Sequence, residues 1–132
     1  MNADVHQQIR ALAIGRIALG VGFILAPGMS VRSWLGREGD TPAARLALRM
    51  VGGRDIALGM GTVLALNHGA PVRGWLEAGA LSDATDFAAS LLAARHLPKL
   101  RVIGAGMSAV GAVVFARRLI SQVATTTPTS GP

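Results

Sequence analysis

The sequence predicts an all-α fold, an integral membrane four-helix bundle with a short interfacial helix between spans one and two. Of its 132 residues, 51% are hydrophobic and only 15% are charged, against about 25% charged residues in an average soluble protein. The apolar residues also fall into four runs, each close to the ~20 residues that cross a bilayer. These runs nearly fill the chain, so we expect one membrane domain over residues 1–120 and a disordered polar tail over residues 121–132.

The first half of the chain contains two predicted spans and the interfacial helix. Span one extends from about Ile9 to Ala26, and the Pro-Gly pair that follows ends it. The segment from Met29 to Leu35 mixes apolar residues with an Arg and a Trp, which is typical of a helix lying in the membrane interface. The turn sequence GREGDTP then leads to span two, from about Ala44 to Leu66.

The second half contains the other two predicted spans. The short connection NHGAPVR leads to span three, from about Gly74 to Ala94, and RHLPKLR leads to span four, from about Val102 to Leu119. Because the connections are short, successive spans should be antiparallel neighbours. We therefore expect a multi-pass protein of the cell membrane, with the lipid bilayer as its surroundings.

Charged residues near the middles of three predicted spans form the candidate site. An unpaired ion costs at least ~2.5–3.5 kcal/mol at the centre of a bilayer, so these charges should cluster and neutralise one another. Span four contributes no ionisable residue between Val102 and Ala116. The residues predicted to form this buried charge network are Arg16, Arg49, Arg54, Asp55, Asp83 and Asp86.

An antiparallel hairpin of spans two and three predicts which of these charges meet. With the turn in NHGAPVR, residues whose numbers sum to about 140 lie at one depth, so Arg54 should be level with Asp86. Asp83 shares a helix face with Asp86, so the planar guanidinium of Arg54 should bind one or both carboxylates. Arg16, near the middle of span one, is the natural partner of the remaining carboxylate, Asp55.

The balance of charge distinguishes three roles for the network. If Arg49 takes part, three arginines balance three aspartates and the network is neutral. Without Arg49 one carboxylate is in excess and would hold a proton. We favour a structural role that holds the fold together, and the alternatives are a ligand or substrate site and a proton pathway.

Several kinds of chemistry are not predicted. The chain has no cysteine, which excludes thiolate catalysis and Cys-ligated metals. Its three histidines lie apart at the ends of different spans, so we expect no metal and no other cofactor. No serine has a nucleophile elbow or a histidine partner, so we expect no enzyme. The net charge is +6, but the basic residues are scattered over loops and span ends, so we expect no nucleic-acid partner.

Small residues at four-residue spacing predict the close-packed helix faces, because they let membrane helices approach one another. Four such rows begin at Ala18, Gly53, Ala80 and Gly104. Faces of this kind would also permit a homodimer or the binding of a membrane partner protein.

Three segments of the chain resemble a family of membrane proteins. They are RIALGVGFILAP, LRMVGGRDIALGMG and RGWLEAGALSDATDFAASLLAARHLP. Their most specific parts are the Gly53-Arg54-Asp55 triplet and the later pair Asp83 and Asp86. The chain is similar to small four-span proteins, common in actinobacteria and without an assigned activity, that are distantly DoxX-like. The resemblance implies a four-helix membrane protein with a polar centre, and the DoxX likeness implies association with a redox or stress-response membrane complex.

The predicted function is therefore that of a non-catalytic membrane protein, structural or associated with a partner, built around a buried Arg/Asp network. The alternative is a small carrier or ligand-binding bundle that uses the central carboxylates, with or without proton coupling. A water-filled cavity reaching Asp83 and Asp86 would favour the alternative, and a dry closed network would favour the structural role.

Overall fold

The structure is a computed structural model that describes residues 3–93, 114 and 117–122. This part of the chain is all-helical. Its helices are α1 (Ala3–Leu25), α2 (Pro27–Leu35), α3 (Pro42–Asn67) and α4 (Arg73–Ala93). Residues 114 and 117–122 are helical as well. Most of predicted span four, and the tail beyond residue 122, lie outside the described residues.

The predicted helical segments of residues 3–93 are present, with different bounds. Span one corresponds to α1, which begins at Ala3 instead of Ile9, because Val5 and Ile9 are buried and extend the packed face toward the N-terminus. The interfacial segment corresponds to α2, and spans two and three correspond to α3 and α4. Ser121 and Gln122 are helical, so the tail predicted from residue 121 begins too early.

Helices α1 and α3 pack antiparallel with their backbones in close contact. A Cβ placed on Gly20 would lie 2.5 Å from the carbonyl oxygen of Gly52, and one on Gly59 would lie 2.6 Å from that of Ala13. Real Cβ atoms do not approach so closely, so only glycine fits at these positions of the interface. The seven-residue spacing of these contacts on both helices keeps them on one face of each.

The predicted rows of small residues were expected to form the close-packed helix faces. This prediction is wrong for the α1 row, and for the α3 row it is only partly right. A Cβ on Gly22 or on Gly53 would meet no other atom within 4 Å, so neither residue is in the close interface. Gly61, in the same row as Gly53, lies against the indole ring of Trp75. Glycine and alanine are so frequent in this chain that several registers satisfy the same spacing rule. The row beginning at Gly104 lies outside the described residues.

The connection between α3 and α4 reverses the chain through a helix-ending glycine. Gly69 has φ of 63°, in the left-handed region that favours glycine. Its amide donates to the carbonyl of Leu66 at 3.3 Å, and the amide of Ala70 donates to the carbonyl of Ala65 at 2.8 Å. This pair of bonds is the Schellman motif, which satisfies the last carbonyls of α3. It sets the antiparallel course of α3 and α4.

The connection between α2 and α3 is held by an ion cluster around Asp40. Arg45 donates to both carboxylate oxygens of Asp40, at 2.6 and 2.9 Å, and Arg32 lies 3.3 Å away. These hydrogen bonds, with the charges of Arg45 and then of Arg32, hold the pKa of Asp40 below its usual value. Because the pKa is lower in the folded state, this contribution to stability is present above the unfolded pKa and is lost as pH falls through the folded one.

The apolar core lies at the end of the bundle where α1 begins. Its fully buried members are Ile9 and Leu119, which place the described C-terminal residues beside α1, the end of α3 and the start of α4. The centre of the bundle, one or two turns along, is polar. This centre is the candidate site.

Candidate functional site

The candidate site begins with Arg16, which is presented by the face of α1 that packs on α3. It lies between Ala13 and Gly20, both buried in that interface. Gly79 of α4 is also buried, and a Cβ placed there would lie 3.5 Å from Nη2 of Arg16. A Cβ at that distance would make an ordinary van der Waals contact, so the guanidinium passes close beside the α4 backbone one helical turn before Asp83.

Arg16 joins all three long helices through its two terminal nitrogens. Nη1 donates to Oδ1 of Asp55 on α3 at 3.0 Å, and Nη2 donates to Oδ2 of Asp83 on α4 at 2.5 Å. The pairing with Asp55 is the predicted one. The second bond, to Asp83, was not predicted, because the sequence does not show the depth and rotation of α1. No residue of the α4 sequence signals this contact, because a Cβ in place of Gly79 would also fit beside Arg16.

Arg54 forms the second half of the network. Its two terminal nitrogens bind both oxygens of Asp86, at 2.9 and 2.7 Å, in the bidentate geometry that gives strong and specific pairs. Nη2 also donates to Oδ1 of Asp55 at 3.3 Å. The predicted register, with Arg54 level with Asp86, is therefore present. Arg54 does not bind Asp83, which pairs with Arg16 instead.

The ion pairs form one continuous chain whose burial is graded. The order is Asp83, Arg16, Asp55, Arg54 and Asp86. The side chains at the Arg16 end are only 11–15% exposed, whereas those of Arg54 and Asp86 are 32% and 43% exposed. Asp55 accepts hydrogen bonds from both arginines and so connects the two halves of the network. Breaking the Arg16 end should therefore cost more than breaking the Arg54 end.

Arg49 does not join the network, which corrects its predicted place. Its Nε donates to the carbonyl oxygen of Ile24 at 3.3 Å, at the C-terminal end of α1. A cation at that position satisfies a helix-end carbonyl and interacts favourably with the helix dipole. The physical reason is position along α3: Arg49 lies more than one turn nearer the α2 end than Arg54. Within the described part of the chain, the network consequently has two arginines and three aspartates.

A small cavity reaches the Arg16 end of the network. Arg16 and Asp83 line it together with Thr62, Trp75 and apolar residues of the three long helices. It provides about 20 Å³ for the centres of water molecules, which is room for about one water. The hydroxyl of Thr62 is already bonded to the carbonyl of Leu58 at 2.8 Å. The cavity is too small for an organic substrate in this conformation, and it does not reach Asp86.

The surface around the network is apolar. Large hydrophobic residues of all three long helices are exposed, among them Leu19 at 60%, Met60 at 46% and Leu81 at 69%. At the same levels of the bundle the charged side chains of Arg16 and Asp55 are shielded, at 15% and 11% exposure. Among the described residues, no group of three acidic or histidine side chains is placed to hold a metal ion.

Of the described helices, α1 alone is long and apolar enough to cross a membrane by length and composition. Only 17% of the residues in its most apolar window are buried, and the helix lies near the N-terminus, where a signal sequence has the same length and composition. The ionisable residues in the middles of α3 and α4 lower the mean hydropathy of those helices. Those same residues pair with one another and with Arg16 in the network.

Comparison with protein-family models, with curated proteins and with solved structures gives no match to this chain. The likeness to actinobacterial four-span proteins and to the DoxX group therefore stays a prediction from the sequence.

Proposed function

We propose that this chain is a small multi-pass protein of the cell membrane that acts without catalysis, by stabilising or assembling with a membrane partner. The observation that carries this proposal is the reversed distribution of polarity. Charged side chains of α1, α3 and α4 are turned toward one another, while residues such as Leu19 and Leu81 are exposed. Lipid is the surrounding medium in which both arrangements lower the free energy.

In this proposal the ion pairs of the network stabilise the packing of the helices against one another. Lipid provides no hydrophobic drive between helices, so close packing and polar contacts must hold them. Close packing joins α1 to α3 through Gly20 and Gly52. Arg16 extends the attachment to α4, where Asp83 is its partner.

Association with a partner, either a second copy or another membrane protein, is supported by the outer face of α1. Ala18 and Gly22 are exposed there, and a Cβ on Gly22 would meet nothing. Small residues four apart on an exposed face suit close approach by another helix.

A carrier or ligand-binding role is the second candidate, and the cavity beside Arg16 and Asp83 is the observation that favours it. Because that cavity has room for about one water, a carrier would have to open between α1 and α4 to admit anything larger. Binding of a small solute that is lost in Asp83→Asn, with the fold retained, would favour this candidate over the structural role.

We expect that α3 crosses the membrane, so its two ends should be accessible from opposite sides. The chain has no cysteine, and single cysteines replacing Glu38 before α3 and Ala70 after it, both exposed, give clean labels. In sealed vesicles of one orientation, a membrane-impermeant maleimide should label one position from outside and the other only after the membrane is opened. Labelling of both from the same side would contradict the proposed crossing.

A further inference from the structure

A basic surface lies at the end of the bundle where α2 joins α3. Its arginines are Arg32 on α2, Arg37 in the connection and Arg45 near the start of α3, and all three are exposed. They outnumber the acidic residues beside them in the chain, Glu38 and Asp40. The residues outside the described part of the chain include no aspartate and no glutamate, so no acidic side chain from there can cancel this excess.

Arg32 is held in place with part of its guanidinium unoccupied. Its Nε donates to the carbonyl oxygen of Gly28 at 3.0 Å and lies 3.3 Å from Oδ2 of Asp40. Both oxygens of Asp40 accept from Arg45 as well, and the Asp40 side chain is only 7% exposed. The two terminal nitrogens of Arg32 have no acceptor among the described residues, and 53% of its side chain is exposed. This planar fork is therefore positioned to bind two oxygens of an external anion.

A half-exposed tryptophan on the same short helix indicates where this surface lies. Trp34 is 50% exposed, and its ring packs edge-on against Phe23 of α1 with ring centroids 5.8 Å apart. Tryptophan is enriched at membrane–water interfaces, where its amphipathic ring lies at the level of the lipid headgroups. In a bilayer, Trp34 therefore favours a position in which α2 and the basic surface lie at headgroup depth.

The charge of the basic surface selects the kind of headgroup. At this depth the available acceptors are lipid phosphates, and an arginine binds a phosphate through two parallel hydrogen bonds. A zwitterionic headgroup carries a cation of its own, which the arginines repel, whereas an anionic headgroup does not. Basic segments next to a membrane attract anionic lipids for this reason. Arg37 adds a second cation, since it has no acceptor in the part of the chain that the structure describes.

We infer that the basic surface binds anionic phospholipid headgroups, with Arg32 as the phosphate-binding residue and Arg37 as the second cation. The inference rests on the proposed membrane location and goes beyond it, because a bundle held in lipid by apolar residues alone would not distinguish lipids by charge. Arg45 is not part of the contact, since both oxygens of Asp40 engage its guanidinium. Each arginine at the membrane surface contributes about fivefold to the affinity for an anionic lipid.

Quenching of Trp34 fluorescence by brominated lipids in bilayer vesicles tests the inference. The chain has two tryptophans, so every protein compared carries Trp75→Phe and Trp34 is the only emitter. Brominated phosphatidylglycerol, which is anionic, is compared with brominated phosphatidylcholine, which is zwitterionic, at equal fractions in phosphatidylcholine. We expect the anionic lipid to quench more strongly, and Arg32→Gln should lower this preference about fivefold.

Two further variants complete the experiment. Arg37→Gln should also weaken the preference, and it serves in place of Arg32→Gln if that variant does not fold, because Arg37 makes no contact that the fold needs. Arg73→Gln is the matched control and should leave the preference unchanged, because Arg73 is an exposed arginine at the start of α4, where it pairs with Glu77.

Equal quenching by the two lipids would overturn the inference, and so would a folded Arg32→Gln protein as selective as its parent. In both cases quenching by brominated phosphatidylcholine still shows that Trp34 is in contact with lipid. Quenching by neither lipid would overturn the membrane location together with the inference, so the two failures are distinguishable.

Discussion

Replacing Arg16 with leucine should destabilise the protein more than any other single loss of charge in the bundle. The guanidinium binds Asp55 and Asp83, whose side chains are only 11% and 15% exposed, so its removal strands buried carboxylates. Breaking a buried ion pair by removing one partner costs roughly 3–5 kcal/mol. We expect a loss of that size in the free energy of unfolding, measured by thermal unfolding in detergent with circular dichroism.

Two further variants make this result specific. Arg10→Leu is the matched control on the same helix, because Arg10 is half-buried and makes a single solvent-exposed bond to Asn67, and it should cost no more than about 1 kcal/mol. Arg16→Leu combined with Asp83→Leu should recover part of the loss, because the stranded charge is removed as well. An Arg16→Leu variant as stable as Arg10→Leu would show that the network does not hold the bundle.

Gly52→Ala and Gly53→Ala should change stability in opposite directions, although they are neighbours in one helix. A Cβ on Gly52 would lie 2.6 Å from the carbonyl oxygen of Gly20, so α1 and α3 would have to separate, whereas a Cβ on Gly53 meets nothing. Overpacking costs typically about 1–3 kcal/mol. In the open position the better helix propensity of alanine is worth roughly 0.5–1 kcal/mol.

The same unfolding measurement compares the two alanine variants directly. Gly20→Ala and Gly22→Ala repeat the comparison from the α1 side, because only Gly20 is in the close contact. If Gly52→Ala were stabilising like Gly53→Ala, the close approach of α1 and α3 would be wrong, and with it the placement of Arg16.

The pairing of Arg54 with Asp86 could be predicted from the sequence because it depends only on the rise per residue of the two helices and on the position of the turn between them. When two antiparallel helices have the same rise per residue and are joined by a short turn, two residues lie at the same depth if their numbers add up to a fixed value. The turn itself was recognisable from the short connection NHGAPVR. The helix bounds of α3 and α4 follow from the same apolar runs and turn residues.

The bridge from Arg16 to Asp83 could not be predicted in the same way. It depends on which face of α1 meets α3, and that face is set by Gly20 and Gly52 among many small residues that satisfy the same spacing. The wrong place for Arg49 has a related cause. Arg49 is only five residues from Arg54 in the sequence. The sequence does not show that its side chain reaches the carbonyl of Ile24, at the end of α1, and not the bundle centre.

Spin labels on the outer surface test most directly whether apolar residues of this bundle face lipid while its charges face inward. Cysteines replacing Leu19 and Leu81, at 60% and 69% exposure, would carry nitroxides in a reconstituted bilayer, with Glu38 as the loop control. We predict that dissolved oxygen relaxes the labels at Leu19 and Leu81 strongly, while a water-soluble nickel complex reaches only the label at Glu38. If the nickel complex reached Leu19 and Leu81 as freely as Glu38, these surfaces would face water, which would contradict the proposed membrane location.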